Sequence, residues 1–239
     1  MRKFVDLHLC APIGNLKQAE RMVNLSAELG YRMVGIPTLP NTPQETIRQI
    51  EEICKRARVE FVTRIDLMPK TSNELLSNLG RLRRKFEIVS VACTSKNVAR
   101  QAAKDRRVDL LSPCLAFPCK RFFDYAEAEL ASKKFVSLEI DMTLILSSSR
   151  FPRIRLLSSL RKEVAVARKF DIPITISSGA SEETFLRSPQ DYAAFSMLFD
   201  LPASCALQAL SNSPLSIVER NRGKLSPHYV APGVRVVGK

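Results

Sequence analysis

The chain has no tryptophan, and Phe and Tyr bring its aromatic share to only 7% of 239 residues. Stacking of successive bases on aromatic platforms is therefore not the obvious mode of any nucleic-acid contact. Among eight glycines no two lie two positions apart, which excludes the G-x-G that follows the first strand of a dinucleotide-binding sheet. Histidine is limited to His8 and His228. The chain contains no H-E-x-x-H, no G-x-S-x-G and no phosphate-cradling glycine loop followed by Lys and Ser or Thr. Six cysteines (Cys10, Cys54, Cys93, Cys114, Cys119 and Cys205) form no C-x-x-C pair, and Cys114 and Cys119 have no histidine beside them. They read as reduced thiols packed like small apolar residues, without a disulfide or a structural metal. No apolar run approaches the roughly 18 residues of a membrane helix. The first residues turn polar again at Asp6, so they read as a strand and not as a signal peptide. A cytoplasmic protein with no membrane partner is expected.

What is abundant is positive charge. Lys and Arg total 37 against 24 Asp and Glu, a net charge of +13. Such a bias speaks to a polyanionic partner and not to the fold. It is also uneven. Residues 1–60 carry nine basic and seven acidic side chains, whereas Arg81–Arg107 carries nine and two, and Arg150–Lys169 seven and one. A solvated charged face mixes its signs, and these two stretches do not. Hydrophobic residues at 45% and charged residues at 26% are ordinary for a globular chain with a real core.

Short apolar runs alternate with segments of helical period. Strand-like runs are Phe4–Leu9, Arg32–Pro37, Glu60–Leu67, Phe86–Cys93, Val108–Leu111, Phe135–Ile140 and Ile172–Ser177. Most are near-continuously apolar, as strands buried on both faces are. Between them run stripes such as Leu16, Ala19, Val23, Ala27 and Leu157, Leu160, Val164, Ala167. Thr42-Pro43-Gln44-Glu45 and Thr71-Ser72-Asn73-Glu74 have the form of capping boxes, and Gly30 sits where the first helix should close. Seven strand–helix units with no interrupting linker predict one α/β domain over residues 1–239. The number of units favours an irregular TIM-like (β/α) barrel of about seven parallel strands over an open sheet. After Ser177 the pattern turns helical and no clear eighth strand follows, while Gly233–Val237 has the look of a short extended segment.

In such a barrel, chemistry sits at the C-terminal ends of the strands. Asp6, His8, Asp66, Glu139 and Asp141 fall there, and these residue types can hold magnesium or manganese. The competing reading satisfies Asp6 and Asp66 with basic neighbours such as Arg64, lets Glu139 and Asp141 cap a loop, and assigns no metal. Ser177-Ser178-Gly179 after strand seven is either a phosphate-binding loop or a tight turn. The basic ends of two helices, Arg81–Lys85 with Arg84 among them and Arg100–Arg107, have a helix-dipole explanation one at a time. In a barrel both ends face the same side, where they would join Arg2 and Lys3 in a surface suited to the phosphates of folded RNA.

Four stretches also carry a family resemblance: Phe4-Val5-Asp6-Leu7-His8, Arg106-Arg107-Val108-Asp109-Leu110-Leu111, Ile176-Ser177-Ser178-Gly179-Ala180 and Leu186-Arg187-Ser188-Pro189-Gln190-Asp191. Together they resemble ribonuclease P protein component 3, a subunit family shared by archaeal and eukaryotic ribonuclease P. The lack of a disordered C-terminal extension matches the archaeal form. The resemblance implies a barrel related to the metal-dependent phosphoesterases of the polymerase-and-histidinol-phosphatase superfamily, with the metal site lost. The H-x-H that opens that superfamily is Asp6 and His8 here. It also implies ribonuclease P RNA and ribonuclease P protein component 2 as partners, the latter in a heterotetramer, along with other protein subunits. Precursor tRNA would be contacted indirectly, its 5′ leader being removed by the RNA with magnesium that belongs to the RNA. No catalytic residue, metal or cofactor is then expected in the chain itself. Basic positions that the resemblance places toward RNA are Arg106 and Arg107, Lys120, Arg155 at the start of the long helix, and Arg187. The alternative is a metal-dependent phosphoesterase using Asp6, His8, Glu139 and Asp141.

Overall fold

The computed structural model describes residues 2–112, 123–231 and 234–235. Its main sheet has seven strands in the order of the chain: β1 (Phe4–Asp6), β2 (Tyr31–Pro37), β3 (Glu60–Leu67), β4 (Ile88–Ala92), β5 (Leu110–Ser112), β6 (Ser137–Asp141) and β7 (Ile174–Ser177). Every pairing is parallel. Neighbouring parallel strands need a crossover, and helices supply it: α1 (Leu16–Glu28), α2 (Gln44–Arg56), α3 (Ser72–Leu82), α4 (Lys96–Lys104), α5 (Tyr125–Ser132), then α6 (Met142–Ser147) and the long α7 (Arg150–Lys169). The chain ends in α8 (Pro189–Ser196), α9 (Ala203–Ala209), α10 (Asn212–Leu225) and a small antiparallel pair, β8 (Tyr229–Ala231) and β9 (Val234–Arg235). Of the expected extended tail Gly233–Val237, Val234 and Arg235 form β9, and the other three residues lie outside the described residues.

The helix ends follow local chemistry. Gly30 takes φ +102° after α1, a left-handed conformation that suits glycine. Thr71 caps α3 by accepting from the Glu74 amide at 3.2 Å, but the Glu74 carboxylate reaches the Lys70 amide instead of the cap's own. The box expected at Thr42 does not form. Pro43 is the cap residue of α2, and the Thr42 hydroxyl accepts from the Leu39 amide, closing the preceding turn.

An eighth strand is replaced in two ways. At the upper end β1 and β7 meet through a bridge between Leu9 and Ala180 and through Gly179 N–H to the His8 carbonyl, 2.9 Å. At the lower end the Val5 amide donates to the Leu210 carbonyl, which ends α9. From there α10 turns under the barrel. Its Ile217 and Val218 pack with Val5, Met33, Val62, Ile88 and Leu110, closing the lower mouth with apolar side chains. Gly35 on β2 has a steric reason, since a Cβ there would lie 2.5 Å from the Leu7 carbonyl oxygen.

Candidate functional site

Side chains alternate across a strand, so Val62, Arg64 and Asp66 of β3 share the interior face, as do Ser137, Glu139 and Asp141 of β6. Arg64 is fully buried at the centre. It donates to both Glu139 oxygens at 2.6 and 2.7 Å, to Asp66 at 2.7 Å and to the Leu7 carbonyl at 2.8 Å. Ser90 and Ser177 complete the Glu139 carboxylate from either side, at 3.3 and 2.8 Å. A planar, bidentate pair with further donors is the geometry in which a buried guanidinium is held well.

Above this pair, His8 places Nδ1 2.9 Å from Asp141 and Nε2 3.3 Å from Asp66, with the Cys10 sulfur 3.2 Å from Nε2. Burial and the Arg64 charge both oppose a protonated ring, yet Asp141 and Asp66, with Cys10, hold His8 well above the ordinary imidazole value. Asp66 is the complement. Burial works against its charge, but Arg64 and His8 keep its carboxyl well below the usual range. Asp6 accepts from the amides of His8 (3.1 Å) and Ser178 (2.9 Å), and burial raises its carboxyl in spite of them. Arg64 thus answers Asp66 as the sequence suggested, but among the described residues Asp6 meets no cation: its Oδ1 takes the two amides, while its Oδ2, like that of Asp141, is buried without a hydrogen-bond partner. Glu139 and Asp141, expected to cap a loop, pair instead with Arg64 and His8.

Ligand atoms of His8, Glu139 and Asp141 lie within 4.8 Å of one another, close enough for a metal ion. The donor set does not fit one. Both Glu139 oxygens already face the Arg64 guanidinium, so a divalent ion beside them would meet a fixed positive charge. The cluster carries its own cation.

The loop Ser177-Ser178-Gly179 is a clasp. Its amides at Ser178 and Gly179 are spent on Asp6 and the His8 carbonyl, and the Ala180 amide on the Ser178 hydroxyl. These three amides are not free to cradle a phosphate, which favours the tight-turn reading, with Gly179 at φ +61°.

At the opposite end of the barrel the two basic helix ends do come together. Asp109, just before β5, accepts from Arg83 and Arg220, both at 2.9 Å, and from the Val89 amide. Burial lowers the ammonium of Lys224, and Arg220, Arg83 and Arg106 add repulsion that Asp109 only partly offsets. Arg84 and Arg106 are exposed nearby in sequence. Arg107 is partly committed, chelating Asp105 at 2.9 and 2.7 Å. Arg222 bridges Glu60 and Glu87, and Glu60 also takes Lys3. The α10 cations Arg220, Arg222 and Lys224 escaped the sequence reading. Their spacing near a helix end was visible, but nothing showed that α10 turns beneath the barrel.

The remaining candidates lie apart. Arg187 donates from one guanidinium nitrogen, Nη1, to the carbonyls of Thr184 and Leu186. Arg155 is exposed in the second turn of α7. Lys120 falls outside the described residues, as do Cys114 and Cys119; Cys10, Cys54 and Cys205 form no disulfide.

Fold and site together define a class of protein: a (β/α) barrel that holds a buried arginine among the carboxylates of its upper mouth and has a large excess of basic side chains. The sequence pattern of the family described as RNase P subunit p30 matches residues 3–226, and the chain belongs to that family. Ribonuclease P protein component 3 of Methanosarcina mazei is 29% identical over 98% of this chain and 96% of its own length. That of Methanosarcina acetivorans is 31% identical over 72% of this chain and 71% of its own. A chain from the cryo-electron microscopy structure of an archaeal ribonuclease P with mature tRNA superposes with a TM-score of 0.85, at 20% identity over 98% of both chains. An inactive dihydroorotase-like domain from Chaetomium thermophilum shares the fold at a TM-score of 0.55 and 12% identity.

Proposed function

We propose that this ribonuclease P subunit serves tRNA processing by binding RNA through its basic surfaces, and that it supplies no catalytic group of its own. The observation that carries this reading is the Arg64–Glu139 pair, which sets a fixed cation against Glu139, one of the residues that a metal-dependent phosphoesterase would need as a ligand here. In this account cleavage of the 5′ leader belongs to the RNA and its magnesium. The relatives' shared name supports the assignment to the ribonucleoprotein. Precursor tRNA is reached through the assembly, and ribonuclease P protein component 2 is the proposed direct protein partner, in a heterotetramer beside the other subunits. A cytoplasmic location accords with the described helices, none of which is long and apolar enough to cross a membrane.

The phosphoesterase alternative keeps one observation in its favour, the close approach of His8, Glu139 and Asp141. Elemental analysis of the purified full-length chain after mild dialysis separates the two. The subunit reading expects no stoichiometric zinc, manganese or iron; one tightly held ion per chain would restore the phosphoesterase.

A further inference from the structure

The long helix α7 is built in a way that its own stability does not explain. Its first six residues, Arg150-Phe151-Pro152-Arg153-Ile154-Arg155, are all exposed, with Phe151 at 78% and Ile154 at 64%. Arg150, Arg153 and Arg155 crowd the end of the helix where the macrodipole is positive, the first turn holds no acidic residue, and the Ser149 side chain does not cap it. Neither Arg150 nor Arg155 meets an acidic partner among the described residues. Further along, steps of three and four place Phe151, Ile154, Arg155, Ser158, Arg161, Lys162, Arg168 and Lys169 on one solvent face, about 30 Å long for a 20-residue helix. The one carboxylate of the helix, Glu163, is buried on the other side. Arg161 approaches Asp200 at 3.6 Å, an exposed pair that offsets little.

An apolar partner laid over Phe151 and Ile154 would bury the flanking guanidinium groups unpaired, at high cost. A nucleic-acid backbone supplies an anion for each of them, and an unpaired base supplies a flat apolar surface for the ring. We propose that the solvent face of α7 is an RNA-docking track, on which Arg150, Arg155, Arg161 and Lys162 engage the phosphate backbone while Phe151 and Ile154 pack against one unpaired base. This rests on the RNA-binding reading above and adds to it a second surface, separate from the lower barrel face. It also adds a specific feature of the ligand, a helical segment interrupted by an unstacked nucleotide.

The test uses the full-length chain and ribonuclease P RNA transcribed from the same genome, with dissociation constants read by mobility shift over a salt series. Circular dichroism checks each variant's fold. Phe151→Ala should weaken binding on the order of tenfold with the salt slope unchanged, and Phe151→Trp should keep it, because stacking tolerates any large ring. Arg150→Ala with Arg155→Ala should make the slope shallower by roughly 1.4 to 1.8 units, two phosphates' worth. If the unaltered chain binds steeply with salt but all three variants match it, the α7 track is wrong and the broader reading stands. If the unaltered chain binds without salt dependence or not at all, the broader reading fails with it. Phe151→Ala that spares RNA affinity but weakens association with component 2 in the absence of RNA would make this a protein-docking face and overturn the proposal.

Discussion

Arg64 spends its donors inside the barrel, and the group it depends on most is Glu139. Taking away one member of a buried pair leaves the other charge unpaired in a poor solvent for it. Glu139→Gln should therefore lower unfolding free energy by about 3–5 kcal/mol, read from urea denaturation. A change under about 1 kcal/mol would mean that the pair is not held as described. His8 gives a pH signature of opposite sense to the usual acid-sensitive carboxylate. Its value is raised on folding, so its contribution is fully present below the ordinary 6.5 and is lost as pH rises through the higher folded value. Asp66, lowered on folding, contributes above its ordinary 3.8 and loses that contribution only in acid. The stability gap between the unaltered chain and His8→Gln should accordingly narrow as pH rises above 6.5; a gap that widens would contradict a protonated His8. The carboxylates of this cluster were legible in the sequence because strand alternation places them on one face. Arg64 was visible only as a neighbour of Asp66, since a lone arginine in a strand carries no mark of its depth.

Among the elements, all seven strands of the sheet were legible, most of them trimmed by one to three residues, because runs buried on both faces announce themselves by continuous Val, Ile and Leu. The crossover helices α1 to α4 and α7 were equally plain, whereas the short α5 and α6 carry no stripe that singled them out. Two further things were not plain. The cap of α2 slid from Thr42 to Pro43 because the Thr42 hydroxyl found a nearer turn amide, a competition that spacing alone does not resolve. The role of α9 and α10 was hidden because a helix that plugs a barrel has the same periodicity as one that lies on its outside. Ile217, only 3% exposed, is the test of that plug. Ile217→Ala should cost about 2–5 kcal/mol, a core-sized loss from a helix that follows the last strand of the sheet. A surface-sized change, below about 0.5 kcal/mol, would show that α10 does not close the lower mouth.

At the scale of the whole molecule the two ends of the barrel divide the charge. The upper end sets Arg64 and His8 among the carboxylates of Asp66, Glu139 and Asp141 and holds Asp6 by backbone amides, whereas the lower end gathers Arg83, Arg106, Arg220 and Lys224 around Asp109. That division was half legible. The excess of +13 and its clustering near helix ends pointed to the lower face, but which cations are already spent on Asp105, Asp109 or Glu60 is a matter of tertiary contact. It also moves the expectation for individual residues, since Arg107 and Arg187 are partly engaged within the chain while Arg84, Arg106 and Arg155 are open to a phosphate. The central claim, that this subunit binds and does not catalyse, meets its most direct test in single-turnover cleavage of precursor tRNA. The holoenzyme would be reconstituted from RNA and all protein subunits, with His8→Gln or with Arg84→Ala/Arg106→Ala, at rising protein concentration. The account predicts that His8→Gln cleaves within about twofold of the unaltered assembly. The double arginine variant should need roughly tenfold or more protein, two phosphate contacts having been lost, and should then reach the same maximal rate. A folded His8→Gln subunit that assembles normally yet abolishes cleavage at saturating protein would contradict it.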